Sequence, residues 1–225
     1  MDLKITIPTK LSEINLKQYQ AFLKVAKDNK DTEFLQQKML QIFCGVDLKY
    51  VSSMRFKDVN DITNNLSNLF TQKTKLINRF TIGSLEFGFI PNLEEMTNGE
   101  YMDLDTYITD WDSMHKAMAV LFRPIIKKQK DKYLIEQYNG SITYAEVMEY
   151  MPLDVALGAV VFFWDLGNEL LSSTMNYLEN NKEVQTTLKA HNLANAGDGI
   201  NLSMPSLKEM LQDLMPLRDY PYTNV

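Results

Sequence analysis

A chain of 225 residues can bury a substantial core, either as one large domain or as two small lobes. Apolar residues make up 45% of it and charged residues 23%, which argues against disorder. A formal net charge of −6 gives no electrostatic reason to expect a specific nucleic acid as partner.

The first residues alternate, with Leu3, Ile5 and Ile7 on one side and Lys4 and Thr6 on the other, so a short strand is expected before Pro8. No basic stretch followed by an apolar run is present there, and a secretory signal is not expected. Asn15 with Gln18 resembles a capping box and opens a helix whose apolar face is Leu16, Tyr19, Phe22, Leu23 and Ala26. A second helix is predicted over 32–43, with Gly45 as its stop, and a third over 56–71. Together these form an expected N-terminal helical lobe, residues 1–75.

The character of the chain changes after that. Residues 76–82 and 85–90 are rich in β-branched and aromatic types, and Gly83-Ser84 between them is a two-residue hairpin signal. Thr97 and Glu100 make a capping box for a helix through Tyr101, Leu104 and Tyr107. Another helix is expected from about Trp111 until just before Pro124. Residues 132–138 have the pattern of a further short strand, and Thr143 with Glu146 suggests a cap for a helix reaching Met151. Pro152 suits the first turn of a long helix over 153–179. Its run 155–164 is apolar on nearly every face, yet about half the ~20 residues that a membrane span requires, so it reads as a buried core helix. The expected fold is therefore mainly α with a small β-hairpin, a helical bundle around that long apolar helix, with residues 76–195 as its central part. Residues 196–225 read as a flexible segment, a short helix over 207–214 and an extended tail carrying Tyr220 and Tyr222.

The residues offer little chemistry. Asp103, Asp105, Asp110, Asp112 and His115 form an acidic cluster of hard donors, but Asp103 and Asp105 point apart on a helix. Asp110 and Asp112 flank Trp111 where helix caps are natural. Glu94-Glu95 has no opposing acid, and Gly83, Gly88 and Gly99 are too far apart to cradle a phosphate. His115 and His191 lack spaced partners for zinc. Cys44, the single cysteine, is read as a small buried hydrophobe, and no disulfide can form within the chain. The thirteen methionines are read as core filler, with adaptable binding surfaces as the alternative. No enzyme, cofactor or metal site is expected. Lys127, Lys128, Lys130 and Lys132 form a local basic patch, which suits a solvated loop or an exposed edge strand.

Residues 87–124 read Phe-Gly-Phe-Ile-Pro-Asn-Leu-Glu-Glu-Met-Thr-Asn-Gly-Glu-Tyr-Met-Asp-Leu-Asp-Thr-Tyr, then Trp-Asp-Ser-Met-His-Lys-Ala-Met-Ala-Val-Leu-Phe-Arg-Pro after three further residues. This stretch resembles a segment of structural or assembly proteins of tailed bacteriophages, in particular the crAss-like podoviruses of gut Bacteroidales. The low-glycine, Asn- and Lys-rich composition is similar as well. The likeness covers less than a fifth of the chain and carries over no functional residue. It implies a virion component, a ring or adaptor subunit of the head-tail connector or tail, made in the host cytoplasm. Its implied partners are the portal, tail ring subunits and copies of itself, with no membrane. A ring subunit needs arms that reach its neighbours. The hairpin with Phe87 and Phe89, the segment 127–132 and the tail with Tyr220 and Tyr222 are the expected contacts. The alternatives are a tail assembly chaperone or packaged cargo and, in a different class, a metal enzyme built on the acidic cluster.

Overall fold

Helices start in this chain where a side chain can accept the unpaired N–H groups of the first turn. In the computed structural model of the chain, which describes residues 5–130 and 132–180, Asn15 does this for α1 (Leu16–Asp28). Its side chain accepts the Gln18 N–H at 2.8 Å, and the Gln18 side chain accepts the Asn15 N–H at 3.0 Å. Asp31 caps α2 (Thr32–Cys44), which ends at Gly45 in the left-handed conformation, φ 67°. The short α3 (Leu48–Val51) leads to α4 (Phe56–Phe70). The apolar stripes of these helices meet in an aromatic cluster. Phe22 and Phe70 each lie 5.3 Å from Phe43, centroid to centroid, and Tyr19 lies 5.5 Å from Phe70.

The chain then forms the hairpin β1 (Arg79–Ile82) and β2 (Leu85–Phe89), turning at Gly83 with φ 59°. Thr97 and Glu100 complete the expected capping box of α5 (Asn98–Tyr107). After α6 (Met114–Leu121) the next residue already belongs to β3 (Phe122–Gln129), which pairs with β4 (Lys132–Ile135). The last described helices are α7 (Ile142–Met148) and α8 (Leu153–Asn180). Among the described residues the fold is thus mixed: eight α-helices and one antiparallel sheet in the order β1-β2-β3-β4.

Several expectations change. The small hairpin is half of a four-stranded sheet, because residues assigned to the end of a helix, and a basic segment read as either a loop or an edge strand, form β3. Pro124 sits inside that strand, opposite Phe87. It is tolerated because Ile90 N–H donates to the Leu121 carbonyl, and antiparallel alternation then makes Phe87 and Pro124 a non-hydrogen-bonded pair. The missing donor faces the level of Glu136, just past the end of β4. No strand forms over residues 5–9, where Pro8 offers no N–H and a 3-10 turn, Leu11–Glu13, follows. Thr143 does not cap α7; its hydroxyl donates to the Asn139 carbonyl. The elements expected beyond residue 180 lie outside the described residues.

Two compact units are distinguished, the first running to Ala159 and the second beginning at Val160. The break expected after residue 75 falls inside the first unit. There, Leu153, Val155, Ala156, Leu157 and Ala159 of α8 are buried. In the second unit, Phe162 and Phe163 meet edge to face at 5.3 Å, and Leu166 is exposed. No described helix is long and apolar enough to cross a membrane.

Gly158 is fixed by close packing: a Cβ there would lie 2.2 Å from the Lys75 carbonyl oxygen. Gly158→Ala is expected to lower unfolding free energy in urea by about 1–3 kcal/mol, although alanine favours a helix. A gain in stability would contradict this approach of the 75 backbone to α8.

Candidate functional site

Phe80, Phe87, Phe89 and Phe122 share one face of the sheet and form its core, with neighbouring rings 5.2–5.6 Å apart. On the other face Gly88 leaves room for a ring. A Cβ at Gly88 would meet Tyr133 Cε2 at 2.4 Å and Ile125 Cγ1 at 3.0 Å. Tyr133 of β4 therefore lies across β2, and its hydroxyl donates to the Phe89 carbonyl at 2.8 Å. The register shift between Ile125 and Lys127 is the irregularity that lets β3 bend toward this position. Burial of the Tyr133 phenol and, against it, the nearby Arg79 and the Phe89 bond leave its pKa above the ordinary tyrosine value.

Past that bend the β3-β4 ladder stands in solvent. Lys127, Lys128, Lys130 and Lys132 are all exposed, and Lys128 pairs with Glu86 of β2. Lys130 holds a positive φ of 56° at the turn between the two strands. The outer part of the sheet also carries apolar side chains that a monomer gains nothing by exposing: Ile126 is 66% exposed, Leu134 57% and, at the start of β2, Leu85 48%. An open groove of about 570 Å³ runs here, lined by Asn78, Pro91, Lys127, Lys132 and Leu134 among others. Of the expected contacts, Lys127 and Lys132 line this groove beside Leu134, whereas Lys128 lies on the opposite face with Tyr133 and Glu86, and Lys130 sits at the turn. Phe87 and Phe89 are 0% and 4% exposed, so they build the core and cannot touch a partner. Tyr220 and Tyr222 lie outside the described residues.

Several ionisable groups in and around the acidic cluster are tied into the fold, while Asp105 is exposed. Arg123, buried on β3, forms an ion pair with buried Glu100 of α5, and its guanidinium lies 5.5 Å from the centre of the Tyr138 ring. Tyr138 donates to Asp103, and burial followed by that bond pushes the phenol pKa well up. Asp110 accepts the Asp112 N–H and the Ser113 hydroxyl in a local turn; Asp112 is not a helix cap. His115 Nδ1 lies 3.1 Å from Gln20 Nε2, an amide donor, which places the imidazole proton on Nε2. Burial lowers the pKa of this histidine, with lesser opposing and reinforcing charges around it. Among the described residues no three His, Cys, Asp or Glu side chains converge as metal ligands. Burial raises the Cys44 thiol to about 11, which suppresses the thiolate a nucleophile requires.

A second groove, of about 480 Å³, opens between α1, α2 and α4. Phe22, Ala26, Met39 and Phe70 form its floor, and Lys27 and Lys30 stand at its rim. Sequence reasoning missed both this groove and the exposed Leu85, Ile126 and Leu134. Compared with models of known protein families, with curated proteins and with solved structures, the chain matches none.

Burial raises the pKa of Glu100, but bonds from the Thr97 N–H and hydroxyl, and the Arg123 guanidinium, outweigh it and hold the carboxyl below its ordinary value. Its stabilising contribution is therefore complete above the pKa of unfolded glutamate, about 4.3, and is lost as pH falls through the lower folded value. Urea titrations from pH 6 to pH 3 are expected to show stability falling with acid, and Glu100→Gln is expected to flatten that slope. An unchanged slope in the variant would contradict the assignment.

Proposed function

We propose that the protein is a structural subunit of a tailed-phage virion, at the head-tail connector or in a tail ring, and works by protein-protein assembly. The observation that supports this best is the β3-β4 ladder, where Ile126 and Leu134 are exposed and Lys127 and Lys132 flank Leu134 in the groove. Such a mixture is costly in isolation and useful where another protein covers it. The groups able to do acid-base or metal chemistry are tied into caps, turns and the Glu100–Arg123 pair, which fits a binding role better than catalysis. In this proposal the helical body of the first unit packs around the buried start of α8, Leu153 to Ala159, and the sheet is the part offered to neighbours. Those neighbours are the portal, tail ring subunits and other copies of the chain. The protein is made in the host cytoplasm and ends in the particle.

A tail assembly chaperone or packaged cargo protein is the second reading. The groove between α1, α2 and α4 favours it, since an apolar floor with a basic rim suits a transiently held client segment. Mass spectrometry of purified particles from a phage encoding this chain separates the two. Detection at a fixed stoichiometric ratio to the portal is expected for a virion subunit. Absence from particles, with the protein abundant in infected cells, would sink the structural role and leave the chaperone.

A further inference from the structure

We infer that β4 is a self-complementary edge on which a second copy of this chain docks by antiparallel strand pairing, joining two four-stranded sheets. The inference does not rest on the virion reading. Among the described residues β4 has one strand neighbour, β3, and the backbone groups of its other edge pair with none of them. Which residues carry them follows from the ladder. Gln129 and Lys132 close the hairpin, Leu134 pairs with Lys127, and Glu136 N–H donates to the Pro124 carbonyl at 2.9 Å. Lys132, Leu134 and Glu136 therefore turn their backbone groups toward β3, and antiparallel alternation leaves Tyr133 and Ile135 facing outward.

Two copies of this edge fit one another in a single register. With the two-fold axis at Leu134, Tyr133 of each copy opposes Ile135 of the other, and the two pairs exchange four N–H to carbonyl bonds. The side chains then fall into complementary places. Leu134, 57% exposed in the single chain, meets its own copy on the axis. Lys132 stands opposite Glu136 on either side, two opposite-charge pairs at non-hydrogen-bonded positions, where side chains approach most closely. Both residues are exposed. Glu136 also accepts a bond from the Tyr144 hydroxyl, which holds the carboxylate in place and leaves it lone pairs for a lysine. Shifting the register by two residues puts Lys132 opposite Leu134 or Leu134 opposite Glu136, and both matches are lost. An edge lysine placed only to repel other strands would not need a glutamate four residues on.

Sedimentation velocity of the full chain over a concentration series tests this, with charge reversals as the discriminating variants. Lys132→Glu and Glu136→Lys each set like charges opposite one another twice per pair, and each is expected to weaken self-association about tenfold. The double variant K132E/E136K restores opposite charges in the reversed sense and is expected to return to the wild-type constant. Leu134→Lys is expected to abolish the pair. Circular dichroism of each variant, at the wild-type spectrum, keeps an unfolded protein from being counted as a dissociated one. A wild-type chain that stays monomeric throughout the series would overturn the inference and return the lysines to an edge-protecting role. So would self-association that ignores the single reversals, or a double variant no stronger than either single one.

Discussion

The passage from α6 into β3 without an intervening loop governs where the rest of the first unit lies. Leu121 and Phe122 are fully buried, and Arg123, the next residue, is buried with its charge. A guanidinium in such a place must be paired, and the partner is Glu100 on α5. The pair ties one helix to the centre of the sheet, while the Leu121 carbonyl, accepting the Ile90 N–H, ties the hairpin β1-β2 to the same point. Removing either charged partner alone would leave a buried ion uncompensated, which in other proteins costs roughly 3–5 kcal/mol. The sheet's outer half, beyond the bend after Ile125, has no comparable anchor except Tyr133 lying on Gly88. This division leaves a buried root and an exposed outer ladder.

The exposed ladder combines features that usually exclude one another on a monomer. Lysines discourage wrong strand pairing, whereas Ile126 and Leu134 invite burial. Both are accommodated if the partner is specific, because charge then selects the register and apolar contact supplies the affinity. The groove among α1, α2 and α4 is of another kind, apolar at its floor and set between helices. The two surfaces thus differ in kind, one an exposed strand ladder and the other a cleft between helices.

Much of the helical part was legible in the sequence because its signals are local. Asn15 with Gln18, Thr97 with Glu100 and Gly45 mark helix ends by chemistry confined to three or four residues, and each lies where the sequence places it. The hairpin turn at Gly83 is equally local. What escaped was non-local. Phe122 to Gln129 is apolar and then basic, with a proline inside, and nothing within that segment announces the strand partners Phe87 and Ile135. Phe87 and Phe89 were read as outward contacts because the hairpin was expected to be an arm, whereas in the fold Phe87 packs on Phe80 and Tyr144 and Phe89 on Phe122. Gly88 illustrates the limit well. In the sequence it is one small residue between two aromatic ones, and its role is set by Tyr133, 45 residues later.

That the protein works through the outer sheet is most directly tested by amide hydrogen exchange followed at dilute and concentrated protein, in the presence and absence of candidate partner subunits. The account predicts that the amides of Tyr133 and Ile135, which pair with no other described residue, gain protection on association, while those of α1 and α2 exchange as before. Association that leaves the β4 amides unprotected and instead slows exchange in the helical lobe would contradict it.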